Sequence, residues 1–299
     1  MTLQPPVDDA DVPRYWRELG LPGLVDVHVH FLPERVQAKV WRFFADAEAH
    51  YGSRWPIAYP LPDDAARLGI LERLGVRAFP TLPYPHKPGM AAWLNDWSAE
   101  FAHRHPQVLQ SATFHPEPEA PAYVAEALDR GARVFKVHVQ VGAFDPRHPL
   151  LDPVWGRLEA TGTPVVIHCG SGPLAGEHTG PEPVTGLLDR YPRLQLVIAH
   201  LGMPEYREFL DLAERFERVH LDTTMFATDF TERLMPFDPA DRPRLAALRD
   251  KVLLGSDFPS IPYPYAHQLA ALHRLDLGEE WLRAVLWANG ARLFGVDGA

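Results

Sequence analysis

Short apolar runs rich in β-branched residues alternate along the chain with longer amphipathic segments. The apolar runs predict eight strands, at residues 24–30, 77–82, 108–114, 133–138, 163–168, 194–200, 219–223 and 251–256. The segments that follow them predict eight helices, at residues 64–74, 90–104, 120–130, 153–161, 183–191, 206–216, 242–249 and 280–293. Most successive strands begin roughly 25 to 30 residues apart, which is about the length of one strand–helix unit.

This alternation predicts an α/β fold. Residues 165–167 and 196–198 are apolar throughout, as is typical of parallel strands covered on both faces. Eight strand–helix units favour a single-domain (β/α)8 TIM barrel over residues 1–299, with its core at about residues 24–296. A doubly wound open sheet is the alternative, but no GxGxxG motif follows the first strand. No linker or break in composition divides the chain.

Two connections are longer than a barrel needs. Residues 32–62 follow the first predicted strand and residues 225–243 follow the seventh, and both segments are rich in aromatic side chains. Long loops after barrel strands lie over the active-site face, so one hypothesis is a hydrophobic lid. The other is extra helices packed on the barrel or on a second subunit, and a homodimer therefore stays open.

Charge and cysteine content narrow the possible partners. The formal net charge of −10 argues against a nucleic-acid partner and against an anionic membrane surface. The single cysteine, Cys169, cannot form an intramolecular disulfide, which is in line with a reducing compartment. Residues 1–11 lack the features of a signal peptide, and no apolar stretch approaches membrane-spanning length. We expect a cytoplasmic protein that acts on a small molecule.

Polar side chains end five of the predicted strands. They are His28, His30, His138, His168, His200 and Asp257. A lone polar group at the end of an apolar strand is costly to bury unless it is paired, and in a barrel these strand ends surround the active site. Side chains two apart on a strand share a face, and neutral imidazoles suit zinc, iron and similar ions. The pattern predicts a metal or catalytic cluster.

The motifs at these strand ends resemble the amidohydrolase superfamily, specifically the amidohydrolase-2 branch that includes aminocarboxymuconate semialdehyde decarboxylase-like proteins. The matching segments are Asp26-Val-His28-Val-His30, Val166-Ile-His168, Ile198-Ala-His200-Leu-Gly202, Gly255-Ser-Asp257-Phe-Pro259 and Asn289-Gly-Ala-Arg-Leu-Phe-Gly295. The resemblance covers about residues 24–296. It is specific for the fold and the catalytic apparatus and not for the substrate.

The resemblance implies roles for five of these residues. His28, His30 and His168 would be ligands of one divalent metal, expected to be Zn²⁺, and Asp257 would be a further ligand or an acid–base group. Three histidines and a carboxylate leave an open position for a water, whose pKa falls toward neutrality on zinc. His200 would act near that water or the substrate as a base or electrophile. A histidine that only bonds a loop is the alternative for His200.

The fourth predicted strand carries a lysine that needs separate consideration. Binuclear members of the superfamily bridge two metals there with a carboxylated lysine or a glutamate, and Lys136 occupies this strand. We favour pairing of Lys136 with substrate or with an inward carboxylate, because a carbamate bridge also requires a second metal. His138, His115 and His178 join Lys136 as candidate substrate-binding residues. Cys169 is expected to be buried and inert.

The predicted activity is hydrolysis, in which a metal-activated water attacks a C–N, ester or lactone bond of a small molecule. A non-oxidative, metal-dependent decarboxylase and a metal-free lactonase are the alternatives. A decarboxylase needs cationic groups for a carboxylate, so the lack of an arginine beside the strand-end motifs favours the hydrolase. A degenerate barrel that only binds a ligand is disfavoured because every principal position is filled.

Overall fold

The computed structural model describes residues 3–296, and the chain forms two compact units. The first unit contains the described residues up to 79 and from 223 onwards, and the second contains residues 80–222. The outermost positions of the predicted domain, residues 1–2 and 297–299, lie outside the described residues.

The first unit combines three short strands with nine α-helices among its described residues. Its strands are β1 (Leu24–Val25), β2 (Val76–Pro80) and β9 (Val252–Leu253). Its helices are α1 (Val12–Glu18), α2 (Glu34–Ala45), α3 (Ala47–Tyr51), α4 (Asp64–Leu74), α11 (Asp229–Glu232), α12 (Arg242–Ala247), α13 (Tyr265–Arg274), α14 (Glu279–Arg283) and α15 (Asn289–Phe294). β1 and β2 pair in parallel, and a π-helical turn (Ala284–Ala288) joins α14 to α15.

The second unit is built on a parallel sheet. Its strands are β3 (Val108–Leu109), β4 (Ser111–Thr113), β5 (Val134–His138), β6 (Val165–His168), β7 (Leu196–Ile198) and β8 (Val219–Asp222). Its helices are α5 (Ala91–Arg104), α6 (Ala120–Asp129), α7 (Val139–Gly142), α8 (Asp152–Thr161), α9 (Pro181–Arg190) and α10 (Tyr206–Arg215). β4 to β8 lie side by side in chain order, each parallel to the next.

Each predicted strand is present, though several are shorter than predicted. The run at residues 108–114 is two strands, interrupted at Gln110. The first predicted strand pairs irregularly. The register of β1 shifts between Leu24 and Val25, and the N–H of His28 bonds the side chain of Asp26. Regular pairing returns only as a single bridge between Val29 and Phe258.

The predicted helices are confirmed with small shifts at their ends, and α4 has the predicted bounds. The sequence signals at α4 are strong, since the Asp63 carboxylate caps its first turn and Gly75 ends it at φ 85°. A Cβ at Gly75 would lie 2.5 Å from the Trp16 indole nitrogen, so packing also requires glycine there. Helices α1, α7 and α13 were not predicted. No helix among residues 3–296 is long and apolar enough to cross a membrane.

Candidate metal centre

Two histidines and one aspartate converge in the first unit. His30 Nε2 lies 3.1 Å and His28 Nε2 3.6 Å from Asp257 Oδ1, and the two imidazole rings have centroids 5.1 Å apart. Both histidines are buried and Asp257 is partly exposed. One possible ligand atom from each residue lies within 4.8 Å of the other two. Two imidazoles and a carboxylate at this spacing fit a divalent cation such as zinc, so this group could bind one.

Backbone hydrogen bonds fix the spacing of these three residues. The N–H of Asp257 donates to the His28 carbonyl at 2.8 Å, and the N–H of His30 donates to the Phe258 carbonyl at 2.8 Å. Asp257 lies at φ 69°, in the left-handed region that aspartate tolerates better than most residues. The turn after β9 therefore presents the Asp257 carboxylate directly to the histidines that follow β1.

Three further histidines and a tyrosine form a cluster in the second unit. The register of β5 and β6 sets His138 directly beside His168, and their rings stack with centroids 3.9 Å apart. The His200 ring meets His168 edge-on at 4.7 Å, and the Tyr84 ring lies 5.2 Å from His138. His168 Nε2 lies 3.1 Å from the Gly172 carbonyl, which can only accept, so Nε2 is the donor in this hydrogen bond.

The backbone around His200 turns sharply after β7. His200 and Leu201 lie at φ 57° and 50°, and the His200 N–H donates to the Asp222 carboxylate at 2.9 Å. Gly202 follows at φ 73°, where a Cβ would lie 2.0 Å from the Phe209 ring. This turn, held by Asp222, directs His200 toward His168.

The structure also places the remaining predicted residues. Lys136 is buried on β5. Cys169 is buried after β6, as predicted, and burial raises the pKa of the Cys169 thiol. His115 is buried, with Nε2 3.2 Å from the Gly142 carbonyl. His178 is partly exposed, 4.0 Å from an oxygen of Asp145. The substrate-binding roles of Lys136, His138, His115 and His178 stay predictions.

The two long loops meet near Asp257. The segment 32–62 contains α2 and α3, and the segment 225–243 contains α11, so the predicted extra helices are present. Trp55 from the first loop packs edge-on against Phe230 from the second, with centroids 5.0 Å apart. Burial, and secondarily the Asp257 carboxylate, raise the pKa of Tyr51 to about 12. These contacts form an aromatic wall beside the turn that carries Asp257.

Two tryptophans tie this wall to the turn that carries Asp257. The indole nitrogen of Trp55 donates to the Ser260 carbonyl at 2.6 Å, and that of Trp41 donates to the Ser260 hydroxyl at 3.3 Å. Ser260 in turn donates its N–H to the Asp257 carbonyl at 3.1 Å. Ser260 therefore links the loop at residues 32–62 to Asp257 through hydrogen bonds.

We expect Trp55→Phe to lower the free energy of unfolding by about 1–2 kcal/mol, because it leaves the part-buried Ser260 carbonyl without its donor. The measurement is urea unfolding followed by far-UV circular dichroism. Trp93→Phe is the matched control, since Trp93 is 47% exposed and its change should stay within about 0.5 kcal/mol. Equal shifts in the two variants would show that the Trp55 bond does not hold the loop.

Sequence reasoning missed the residues that support this centre. These residues form hydrogen bonds between positions far apart in the chain, Trp41 with Ser260 and Tyr265 with Asp26. The one local signal was the aspartate at position 26, two residues before His28, which has the side-chain length to bond the backbone N–H two residues on.

The family model described as amidohydrolase matches residues 25–296, almost the whole chain. The chain belongs to the amidohydrolase family. This is the family that the strand-end motifs resemble. Its members are enzymes that generally use a metal, in keeping with the group formed by His28, His30 and Asp257. No curated protein sequence matches the chain.

Solved structures of low sequence identity share the fold of this family member. An uncharacterized TIM-barrel protein from Bordetella bronchiseptica is 19% identical, with a TM-score of 0.70 over 91% of this chain and 99% of that one. A 5-carboxyvanillate decarboxylase from Sphingomonas paucimobilis is 17% identical, with a TM-score of 0.61 over 92% and 99%. A probable 2-pyrone-4,6-dicarboxylic acid hydrolase from Acinetobacter baumannii is 14% identical, with a TM-score of 0.60 over 91% and 99%. The predicted α/β TIM-barrel fold is confirmed.

Proposed function

We propose that the protein is a metal-dependent hydrolase that cleaves a C–N, ester or lactone bond of a small molecule. The observation that carries the proposal is the convergence of His28 Nε2, His30 Nε2 and Asp257 Oδ1 in a chain of the amidohydrolase family. When bound there, a divalent cation supplies Lewis acidity to an attacking water or to the substrate oxygen. Zn²⁺ is the cation we propose, because imidazole and carboxylate suit it.

The role of His168 as a further metal ligand, which the family resemblance implies, stays a prediction. Within its own unit, His168 donates its Nε2 proton to the Gly172 carbonyl. Histidines that ligate metals through one ring nitrogen almost always donate the other N–H to a carbonyl, carboxylate or water. This hydrogen bond supports a role for His168 Nδ1 as a ligand atom.

His200 is proposed to move the proton. A ring nitrogen of the His200 imidazole can accept a proton from the attacking water and return it to the leaving group. The Asp222 carboxylate accepts the backbone N–H of His200, and the His168 ring packs against the His200 ring. Asp257 Oδ is the second group able to hold a proton beside the reacting atoms.

The charges near the centre favour hydrolysis over decarboxylation. Among the described residues Arg67 is the one buried arginine, and its guanidinium lies 5.2 Å from the Phe31 ring, one residue past His30. That guanidinium already bonds the Asp64 carboxylate and the Gln37 carbonyl. Its charge is therefore compensated and does not provide the receptor that a leaving carboxylate needs. Lys136 is proposed to bind substrate rather than to bridge two metals.

The test presents purified protein with a panel of lactones, esters and amides and, separately, with hydroxybenzoic acids, with and without added Zn²⁺. We expect Zn²⁺-dependent hydrolysis and no release of carbon dioxide. Metal-dependent carbon dioxide release would replace the hydrolase with a decarboxylase, and hydrolysis that survives a chelator would indicate a metal-free lactonase.

The proposed substrate is a small molecule, and the proposed location is the cytoplasm. The net charge of −10 supports the exclusion of nucleic acid, because phosphate backbones attract basic proteins. The homodimer stays a prediction.

A further inference from the structure

A fully buried carboxylate lies behind the candidate metal centre. Asp26 Oδ1 accepts the N–H of His28 at 3.1 Å and the N–H of Ser256 at 3.2 Å. Its Oδ2 accepts the hydroxyl of Tyr265 at 2.9 Å. His28 is a candidate ligand and Ser256 precedes the candidate ligand Asp257, so one carboxylate joins the two segments that supply the metal-binding atoms.

Tyr265 is the donor that fixes the orientation of this carboxylate. It is fully buried at the start of α13, and burial, followed by the charge of Asp26, raises the pKa of its phenol well above 10. The phenol therefore stays protonated and donates. The backbone N–H of Tyr265 donates to the Tyr59 hydroxyl at 2.6 Å, and Tyr59 donates to Asp9 at 2.5 Å. The Tyr265 residue is thus held at its backbone as well as at its hydroxyl.

A buried carboxyl group is costly unless both of its oxygens have hydrogen-bond partners. Loss of the Tyr265 hydroxyl removes a hydrogen bond from Oδ2, so the carboxyl group is held less firmly in its orientation. Rotation of the carboxyl group would change both hydrogen bonds that Oδ1 accepts from backbone N–H groups, and with them the separation between His28 and Asp257. Metal ligands must be held within about 0.5 Å of the productive geometry, so a small rotation here is enough to weaken binding.

We propose that Asp26 and Tyr265 form a positioning pair that sets the spacing of His28 and Asp257 and thereby the affinity of the centre for its metal. Neither residue touches the metal in this scheme. The inference rests on the proposed metal site at His28, His30 and Asp257. It adds that α13, through the Tyr265 hydroxyl and Asp26, sets the positions of two of the ligands.

Tyr265→Phe tests the pair by removing one hydroxyl and keeping the ring. The metal-free proteins are titrated with Co²⁺ in competition with a chromophoric chelator, and the visible spectrum of the bound Co²⁺ is recorded. We expect the dissociation constant for Co²⁺ to rise about 10- to 100-fold, the usual effect of removing a partner behind a metal ligand, with a changed Co²⁺ spectrum. Tyr15→Phe is the control, because it removes a buried hydroxyl 3.1 Å from His273 Nδ1 in the same unit.

The melting temperatures of the metal-free proteins separate positioning from stability. If Tyr265→Phe melts lower but binds Co²⁺ as Tyr15→Phe does, with the same spectrum, the pair only stabilises the fold and the proposal is wrong. Should Tyr265→Phe fail to fold, Asp26→Ala provides the same test, because it removes both acceptor oxygens of the pair. Co²⁺ affinity equal to that of the control would again overturn the pair. Failure of the unaltered protein to bind Co²⁺ would instead reject the metal site itself.

Discussion

His28→Ala is expected to abolish metal binding and activity together. His28 is 1% exposed, and its Nε2 lies 3.6 Å from Asp257 Oδ1, so its removal leaves His30 and Asp257 as an incomplete site in the first unit. Zinc in enzymes is held by three or more protein ligands, and this change removes a buried imidazole from that set. The measurements are elemental analysis of the purified variant and its turnover of the substrate identified in the panel.

His103→Ala is the matched control for this change. His103 is an exposed histidine near the end of α5, and its replacement should leave both metal content and turnover at the level of the unaltered protein. If His28→Ala kept a full equivalent of metal, His28 would not be a ligand. A variant that lost activity with its metal intact would assign His28 to substrate binding.

His200→Ala is expected to keep its metal and its fold while losing about two to four decades in kcat, the usual loss when one proton-transfer group is removed. Because His200 lies at φ 57°, alanine there also adds backbone strain. His200→Asn avoids this, since asparagine adopts the left-handed region more readily, and the backbone bond to Asp222 survives either change. Steady-state kinetics and elemental analysis of both variants give the result.

The two His200 variants should agree in kcat and differ in stability. Loss of metal in both would make His200 a ligand. Near-normal kcat in His200→Asn would show that the imidazole has no part in proton transfer, and Asp257 would then have to hold the proton alone.

Much of the fold was predictable because its signals are local. Apolar runs such as residues 165–167 mark buried parallel strands, and the cap at Asp63 with the glycine at position 75 marks both ends of α4. Helix α13 was missed because it follows a turn with two prolines and begins without a capping side chain. The shortness of β1 was missed because no sequence pattern marks the register shift between Leu24 and Val25.

The candidate site was predictable as a set of residues and not as a geometry. His28, His30 and Asp257 were found because polar groups at apolar strand ends are costly unless they are used. The hydrogen bonds that hold these residues in place could not be predicted, because their partners are distant in sequence. Tyr265 and Asp26 are 239 positions apart, and Trp55 and Ser260 are 205 apart. No local pattern marks such pairs. The left-handed turn at His200 was equally hidden, although the glycine two residues later fits it.

The central claim is one metal ion held by His28, His30 and Asp257. Anomalous diffraction from crystals of protein purified without added metal, collected on both sides of the zinc absorption edge, tests it most directly. We expect a single zinc peak within bonding distance of His28 Nε2, His30 Nε2 and an Asp257 carboxylate oxygen. Two peaks bridged by a modified Lys136, or a metal bound elsewhere with these three residues bonded only to one another, would contradict it.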